Sequence, residues 1–180
     1  GPLAQVFRLA ALGATRREVV APVSGEIRIP YGIRSIWTKD GQRNIFGVPY
    51  ATVRGRKWLV VPTELKEYTF LVGSEEVHVR VPADFDLETM IGETFIDAGG
   101  KKDGRQALYE AGAAALRALK GTAEYSVTTT IGNQRDPWQC AVLKSGKRVE
   151  RGEIALSFDI LTGDQLFVDR FSYNFFKPEV

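Results

Sequence analysis

The chain contains 180 residues, of which 44% are hydrophobic, 26% charged and 11% aromatic. This length and composition predict a folded chain, either one domain or two closely packed halves, and exclude an intrinsically disordered polypeptide. No apolar run approaches the roughly 18 residues that a membrane-spanning helix needs, so we expect no membrane span. A net charge of +2 is too small to indicate a nucleic-acid partner, so the placement of the charges carries more information than their sum.

Cysteine content and cofactor motifs are both sparse. The single cysteine, Cys140, excludes an internal disulfide. It predicts an intracellular, reducing compartment, either the cytoplasm or an organelle matrix, and it is compatible with a targeting segment removed during maturation. The chain has no Walker loop and no G-x-G-x-x-G sequence, so we expect no cofactor.

The first half of the chain is predicted to form short antiparallel strands. Runs of β-branched and aromatic residues alternate with turn residues, and no helical segment is available for the crossovers that parallel pairing requires. Alternation is clearest in the last run, where three valines occupy one face and three polar residues, including His78, the other. The predicted strands are 18–21, 26–29, 33–38, 45–53, 57–61, 67–72 and 75–81, with turns at Asp40-Gly41, Arg54-Gly55-Arg56 and Gly73-Ser74.

One helix is predicted over residues 103–120. Asp103 can cap the free N–H groups of the first turn, Gln106 completes a capping box, and Gly121 follows the last residue. Small residues at helical spacing, mostly alanines and Gly112, form one face, so the helix is expected to approach its partner closely. That partner is predicted to be a sheet of the same chain, and a self-association face is the alternative.

Segment 82–86 interrupts the strand pattern and divides the chain into a β-rich half, 1–82, and a second half, 83–180. Four further strands are predicted, at 125–131, 138–143, 154–160 and 171–175, with turns at Ser145-Gly146 and Thr162-Gly163-Asp164. The predicted fold is therefore α+β and mainly antiparallel. It consists of a β-meander in the first half, followed by one amphipathic helix packed on a four-stranded antiparallel sheet.

No catalytic or metal site is predicted. With one histidine and one cysteine in the chain, a Ser-His-Asp or Cys-His arrangement would have to use His78. We expect His78 to face solvent and Cys140 to lie in the core. Asp84, Asp86 and Glu88 stand at alternate positions, but no glycine or terminal glutamate follows at the spacing of a calcium loop, so helix capping and solvation explain them.

Residues 99–121 resemble the signature of Nudix hydrolases, which cleave nucleoside diphosphates linked to another group. The stretch shares the 23-residue length, the glycines, Glu110-Ala111 and Leu116. Carboxylates on the helix hold magnesium in that family, and without them nothing would hold the ion here. The resemblance would imply an inactive, ligand-binding relative. Because it covers about an eighth of the chain and any capped helix ending in glycine shares it, we assign the chain to no family. The positions that lack the carboxylates are Gln106, Ala114, Ala115, Ala118 and Leu119.

Basic residues concentrate in predicted turns. Segments 39–43, 54–57, 101–105 and 144–151 hold 12 of the 24 Lys and Arg residues in 22 positions. If these segments project from one side, they form a patch that holds phosphates by counterion release, and nearby tryptophans offer faces on which unpaired bases can stack. The predicted contact residues are Trp37, Lys39, Arg43, Arg54, Arg56, Lys57, Trp58, Lys101, Lys102, Arg105, Lys144, Lys147 and Arg148.

These features predict a non-catalytic subunit or adaptor that binds a macromolecule in a larger assembly, a ribonucleoprotein being one such assembly. A protein partner or a second copy of the chain is favoured, because the strands outnumber what one helix can cover. Direct binding of RNA or another single-stranded nucleic acid through the basic turns is the alternative, and an inactive Nudix-like ligand-binding domain is a further one. The aromatic residues that suit an interface are Phe171, Tyr173, Phe175 and Phe176.

Overall fold

The structure is a computed structural model, and it describes residues 14–57, 61–96, 100 and 103–161. Within these residues lie nine strands and two α-helices, the first of which continues directly into a π-helix over Gly92–Ile96. The elements are β1 (Ala14–Val20), β2 (Gly25–Thr38), β3 (Gly41–Gly47), β4 (Tyr50–Lys57), β5 (Val61–Val72), β6 (Glu75–Pro82), α1 (Leu87–Ile91), α2 (Gly104–Arg117), β7 (Tyr125–Ile131), β8 (Gln134–Val149) and β9 (Ile154–Leu161).

Seven strands form one antiparallel sheet. Five of them follow the order β4-β5-β2-β8-β7, while β3 pairs with β2 and β6 pairs with β5. The remaining strands, β1 and β9, pair with each other in a separate two-stranded sheet. β8 of the second half thus lies beside β2 of the first half, from Val149 opposite Gly25 to Gln139 opposite Ile33.

The two outer strands of the five-strand path approach each other. Thr129 of β7 donates its hydroxyl hydrogen to the carbonyl oxygen of Tyr50 at 2.8 Å, and the amide of Gly132 donates to the hydroxyl oxygen of Thr52 at 2.8 Å. Both acceptors belong to β4. The sheet therefore curls until β4 and β7 touch, which encloses Trp138 and Cys140 of β8.

The pairing directions distinguish the two ends of the sheet. Because β5 and β8 both run antiparallel to β2, the β2–β3 and β7–β8 turns and the paired ends of β4 and β5 all lie at the end that β2 reaches at Thr38. We call this the hairpin end. The opposite end, the far end, contains the start of β2, the β5–β6 turn and the last residues of β8.

The helices cover one face of the sheet and close the main core. Leu87 and Ile91 of α1, Leu108 of α2 and Ile29 of β2 are all buried there. α2 contacts β2 and β8, and a Cβ at Gly112 would overlap the ring of Tyr31, so glycine permits this close approach. No helix in the described part of the chain is long and apolar enough to span a bilayer.

Several local predictions are confirmed. Asp40-Gly41 and Gly73-Ser74 are hairpin turns. Asp103 caps α2 by accepting the Gln106 amide hydrogen at 3.4 Å, although the Gln106 side chain bonds to Glu110 instead of completing a capping box. The three valines of β6 are inward and its polar residues exposed, while Cys140 is buried. The α+β class and the antiparallel strands are also confirmed.

The predicted layout of one helix on a four-stranded meander is wrong. There are two helices and a seven-stranded sheet within the described residues, because β8 also pairs with β2, and β9 pairs with β1. Turn signals report on neighbours along the chain and not on such distant partners. The predicted strand at 171–175 and the Thr162-Gly163-Asp164 turn lie outside the described residues.

Two predicted turns are also wrong, because each lies inside a strand. Arg54-Gly55-Arg56 belongs to β4, where a Cβ at Gly55 would lie 2.6 Å from the Leu65 side chain, so glycine serves close packing there. Ser145-Gly146 belongs to a bulge in β8, and Gly146 has a φ of +76°. Conversely, the predicted strands 26–29 and 33–38 are one strand, and 45–53 divides into β3 and β4.

Candidate functional site

A two-stranded ribbon extends from the hairpin end. β2 pairs with β8 only as far as Ile33, and from there to Thr38 its described partner is β3 alone. The turn is closed by the hydroxyl of Thr38, which donates to the Gly41 carbonyl at 2.9 Å and accepts from the Asp40 amide at 3.2 Å. Gly41 supplies the positive φ, +111°, that this turn needs. We call residues 34–46 the β2–β3 arm.

The arm presents aromatic surface to solvent. Trp37 is 79% exposed, more than any other large hydrophobic residue in the described chain, and Phe46 is 40% exposed. Both lie on the same face of the ribbon. Phe46 lies opposite Ile33, and Ile33 is four residues from Trp37 on β2, where alternate residues share a face. Near the base of the arm, the Phe46 ring meets the ring of Tyr109 on α2 edge to face, with centroids 6.2 Å apart. The arm therefore rests on α2 at its base and leaves Trp37 free at its tip.

A buried ion pair lies at the base of the arm. Arg34 Nη1 is 3.1 Å from Asp136 Oδ2, and the two side chains are only 9% and 11% exposed. The guanidinium lies 5.4 Å from the Trp138 ring centroid and 5.7 Å from that of Tyr50. Since β2 and β8 separate at this level, the pair joins the two strands where backbone hydrogen bonds no longer do.

The hairpin end carries unpaired cations. Lys39, Arg43, Arg54 and Arg135 are exposed, and none of them has an ion pair with another described residue. Arg56 and Lys57 follow Arg54 on β4, and their side chains are outside the described set, as is Trp58. Exposed acids at this end are Asp40, in the arm turn, and Glu64, opposite Arg54. The hairpin end is therefore basic and bears an exposed indole.

The third predicted set of cations lies elsewhere. Lys144, Lys147 and Arg148 are at the far end, because Lys144 pairs with Arg28 and Arg148 with Glu26. About ten residues of β2 separate Arg28 from the arm tip, and at roughly 3.3 Å per residue this is about 30 Å. Lys147 is also engaged, since its Nζ donates to the Thr94 carbonyl at 3.1 Å and lies 5.4 Å from the Phe95 ring centroid.

The remaining predicted set is Lys101, Lys102 and Arg105, of which the first two lie outside the described residues. Arg105 forms ion pairs with Asp86 at 2.9 Å and Glu88 at 3.0 Å, so its charge is balanced within the fold. Burial raises the pKa of the Glu88 carboxyl, while the 2.8 Å hydrogen bond from the Val48 amide and the charge of Arg105 act in the opposite direction. This cluster joins the two helices to the β3–β4 connection.

Sequence reasoning missed two members of the hairpin end. Arg135 follows the Gly132-Asn133 turn, and that turn signal would have placed it at a hairpin tip. The Arg34–Asp136 pair joins residues 102 positions apart, and no local pattern indicates such a partnership.

The lone histidine lies in a groove of about 540 Å³ at the far end. Thr69 Oγ1 is 3.1 Å from His78 Nδ1, and His78 Nε2 is 3.8 Å from Glu76, whose other oxygen accepts the hydroxyl hydrogen of Tyr125. This sequence of hydroxyl, imidazole and carboxylate has the composition of a catalytic triad. Thr69 is only 4% exposed, however, so a substrate carbonyl could not reach its hydroxyl.

The thiol and the acidic side chains of the described residues do not form a reactive centre of a familiar kind. Burial raises the pKa of the Cys140 thiol to about 12, so the thiol stays protonated at neutral pH. Within the described ranges, no group of three or more His, Cys, Asp or Glu residues is placed to hold a metal ion. On α2, Glu110 accepts a hydrogen bond from Gln106, and the Nudix-like interpretation stays a prediction.

Comparison of the chain with protein-family models, with curated proteins and with solved structures gives no match.

Proposed function

We propose that the protein is a non-catalytic subunit or adaptor that binds another macromolecule in a larger assembly, with the β2–β3 arm as its docking element. The observation that carries this proposal is the 79% exposure of Trp37 at the tip of a ribbon that extends beyond the sheet. Complete burial of such an indole against a partner would contribute roughly 3–5 kcal/mol of transfer free energy, before the cost of ordering is subtracted.

The geometry of the arm adds support. An isolated two-stranded ribbon is marginally stable in water, so a ribbon with apolar residues on both faces gains most when a partner covers it. Trp37 lies on one face, and Ile36 and Ile45, which are half-buried, lie on the other. A concave or flexible macromolecular partner could contact both faces, whereas a small ligand could not.

The non-catalytic part of the proposal is supported by how the two candidate nucleophiles are placed. Thr69 lies buried beneath His78, and Cys140 is enclosed by the curled sheet. A ribonucleoprotein is the assembly that the unpaired cations near the arm favour, because at least one of its components is a polyanion.

The experiment compares the unmodified chain with Trp37→Ala in an extract of the source cells, followed by size fractionation and identification of retained components. We expect the unmodified chain to elute in a complex of defined stoichiometry, and Trp37→Ala to elute near its own mass of 20.0 kDa. Ile154→Ala is the matched control, because Ile154 is 49% exposed and lies outside the arm. Each extract is run with and without ribonuclease.

Elution of the unmodified chain as a free monomer would contradict the proposal. So would a complex that Trp37→Ala retains as well as Ile154→Ala does, since the arm would then not be the docking element.

A further inference from the structure

We infer that the macromolecule bound at the hairpin end is a single-stranded nucleic acid, with an unpaired base stacked on Trp37 and its phosphates held by Lys39, Arg43 and Arg54. This inference rests on the proposed docking role of the arm and names its partner. It is carried by two independent features of the hairpin end, the exposed indole of Trp37 and the exposed cations that have no ion pair among the described residues.

The aromatic feature selects unpaired bases. An exposed indole offers two flat faces, and stacking on such a face is tolerant of sequence because every base has a π-face. The bases of a duplex are already stacked on one another and are not available to Trp37. Trp37 is 79% exposed, and the nearest described position on its own face of β2 carries the small side chain of Ser35.

The charge feature selects a polyanion over an ordinary protein surface. The described cations at this end have no ion pair within the described chain, and the exposed acids are limited to Asp40 and Glu64. A protein partner would have to supply several carboxylates at matching positions, whereas a phosphate backbone supplies one negative charge per nucleotide. Release of the counterions condensed on that backbone would add to the affinity.

The width of the arm fits a single strand. Its two β-strands lie about 4.8 Å apart, so the arm is narrow enough for one chain of nucleotides to pass over its edge. Trp37 lies on one face, Arg43 on the other and Lys39 at the turn between them. A strand crossing the tip can therefore place a base on one face and phosphates at the turn and on the other.

The direct test measures fluorescence anisotropy of a labelled 20-nucleotide single strand of mixed sequence, as RNA and as DNA, and of the matching duplex. Purified full-length protein is titrated at 50 and 200 mM salt. With about three phosphate contacts, affinity for the single strands should fall roughly 20-fold between these two salt concentrations. Comparison of the RNA strand with the DNA strand shows whether the 2′-hydroxyl contributes to the affinity.

Two pairs of variants locate the site. Trp37→Ala should weaken single-strand binding on the order of tenfold, while Trp37→Phe retains most of the affinity. Lys39→Glu with Arg43→Glu should weaken it by roughly tenfold or more and flatten its salt dependence. The matched control is Lys144→Glu with Arg148→Glu, which makes the same change in net charge at the far end and should leave affinity within about twofold.

Three outcomes would overturn the inference: no binding of either single strand at 50 mM salt, equal losses from the two charge reversals, or duplex binding as tight as single-strand binding and unaffected by Trp37→Ala. The failures are distinguishable from failure of the docking proposal. A ribonuclease-resistant complex with a protein that requires Trp37 would preserve the docking role of the arm while removing the nucleic acid from it.

Discussion

The two ends of the seven-stranded sheet are both rich in lysine and arginine, yet they differ in what lies beside these residues. At the far end, Arg28 donates to the Gly73 carbonyl, Lys147 to the Thr94 carbonyl, and Glu26 accepts the Gly146 amide hydrogen. Lys144 and Arg148 at that end are exposed and have no ion pair among the described residues. At the hairpin end the side chains of Lys39, Arg43 and Arg54 have neither a hydrogen bond nor an ion pair among the described residues, and Lys39 and Arg43 share the arm with Trp37. The difference teaches that pairing register, more than basic content, decides which cations lie in the same arm as the exposed indole of Trp37.

The backbone of β2 is packed against more of the fold at the far end than at the hairpin end. The start of β2 lies against the β5–β6 turn at the far end, where the Gly73 amide donates to the Glu26 carbonyl at 2.9 Å. At the hairpin end, β2 beyond Ile33 has β3 as its one described partner strand, and the Phe46 ring of the arm contacts Tyr109 of α2. At the far end the start of β2 is therefore covered by neighbouring backbone, whereas at the hairpin end the arm keeps apolar surface exposed to solvent.

The largest expected effect comes from removing the carboxylate at the base of the arm. Asp136→Ala would leave the buried guanidinium of Arg34 without its counter-charge, and we expect the free energy of unfolding, measured by urea titration, to fall by about 3–5 kcal/mol. Asp159→Ala is the control, because its ion pair with Arg16 joins side chains that are both 57% exposed and should contribute less than about 1 kcal/mol. Similar small losses from both variants would contradict an anchoring role for the buried pair.

A second substitution tests the difference in backbone packing between the two ends, and its effect on the free energy of unfolding should be smaller. Gly25→Ala at the far end would place a Cβ 2.8 Å from the amide nitrogen of Gly73 and 2.9 Å from its Cα. Because these are backbone atoms, we expect a loss of about 1–3 kcal/mol in the free energy of unfolding. Ser35→Ala on the exposed arm should change it by less than about 0.5 kcal/mol. If thermal or urea unfolding showed no difference between the two variants, the far end would be no more tightly packed than the arm.

The smallest effect is expected at the far-end groove. His78→Gln keeps a polar side chain near Thr69, and on a half-exposed position it should change the free energy of unfolding by less than about 0.5 kcal/mol. It should also leave the affinity for single-stranded oligonucleotides within about twofold, since the groove lies at the other end of the sheet from Trp37. Loss of oligonucleotide binding in this variant would move the functional surface from the arm to the groove.

Local features of the fold were predictable from the sequence where the cause is local. The cap at Asp103, the alternation along β6 and the turns at Asp40-Gly41 and Gly73-Ser74 follow from side chains within a few residues of one another. The turn predicted at Gly55 is wrong because glycine is used both in tight turns and at positions of close packing. Only the position of the Leu65 side chain, ten residues away, distinguishes the two.

The candidate site was predictable in part, for the same reason. Trp37 beside a basic turn indicated an exposed aromatic with cations, and the structure places both on one arm. The pairing of β2 with β8 was not predictable, and it separates Lys144 and Arg148 from that arm. The sequence places Arg105 in the surface patch, because nothing near it in sequence indicates that the fold brings Asp86 and Glu88 to its guanidinium.

The enclosure of Cys140 has a practical consequence for following the arm in solution. The chain has one thiol, and burial keeps it protonated and out of reach of maleimide reagents. Asp40→Cys would therefore introduce the one readily labelled position, in the turn of the arm. A dye attached there would report contacts at the tip of the ribbon without first removing the native sulfur from the interior.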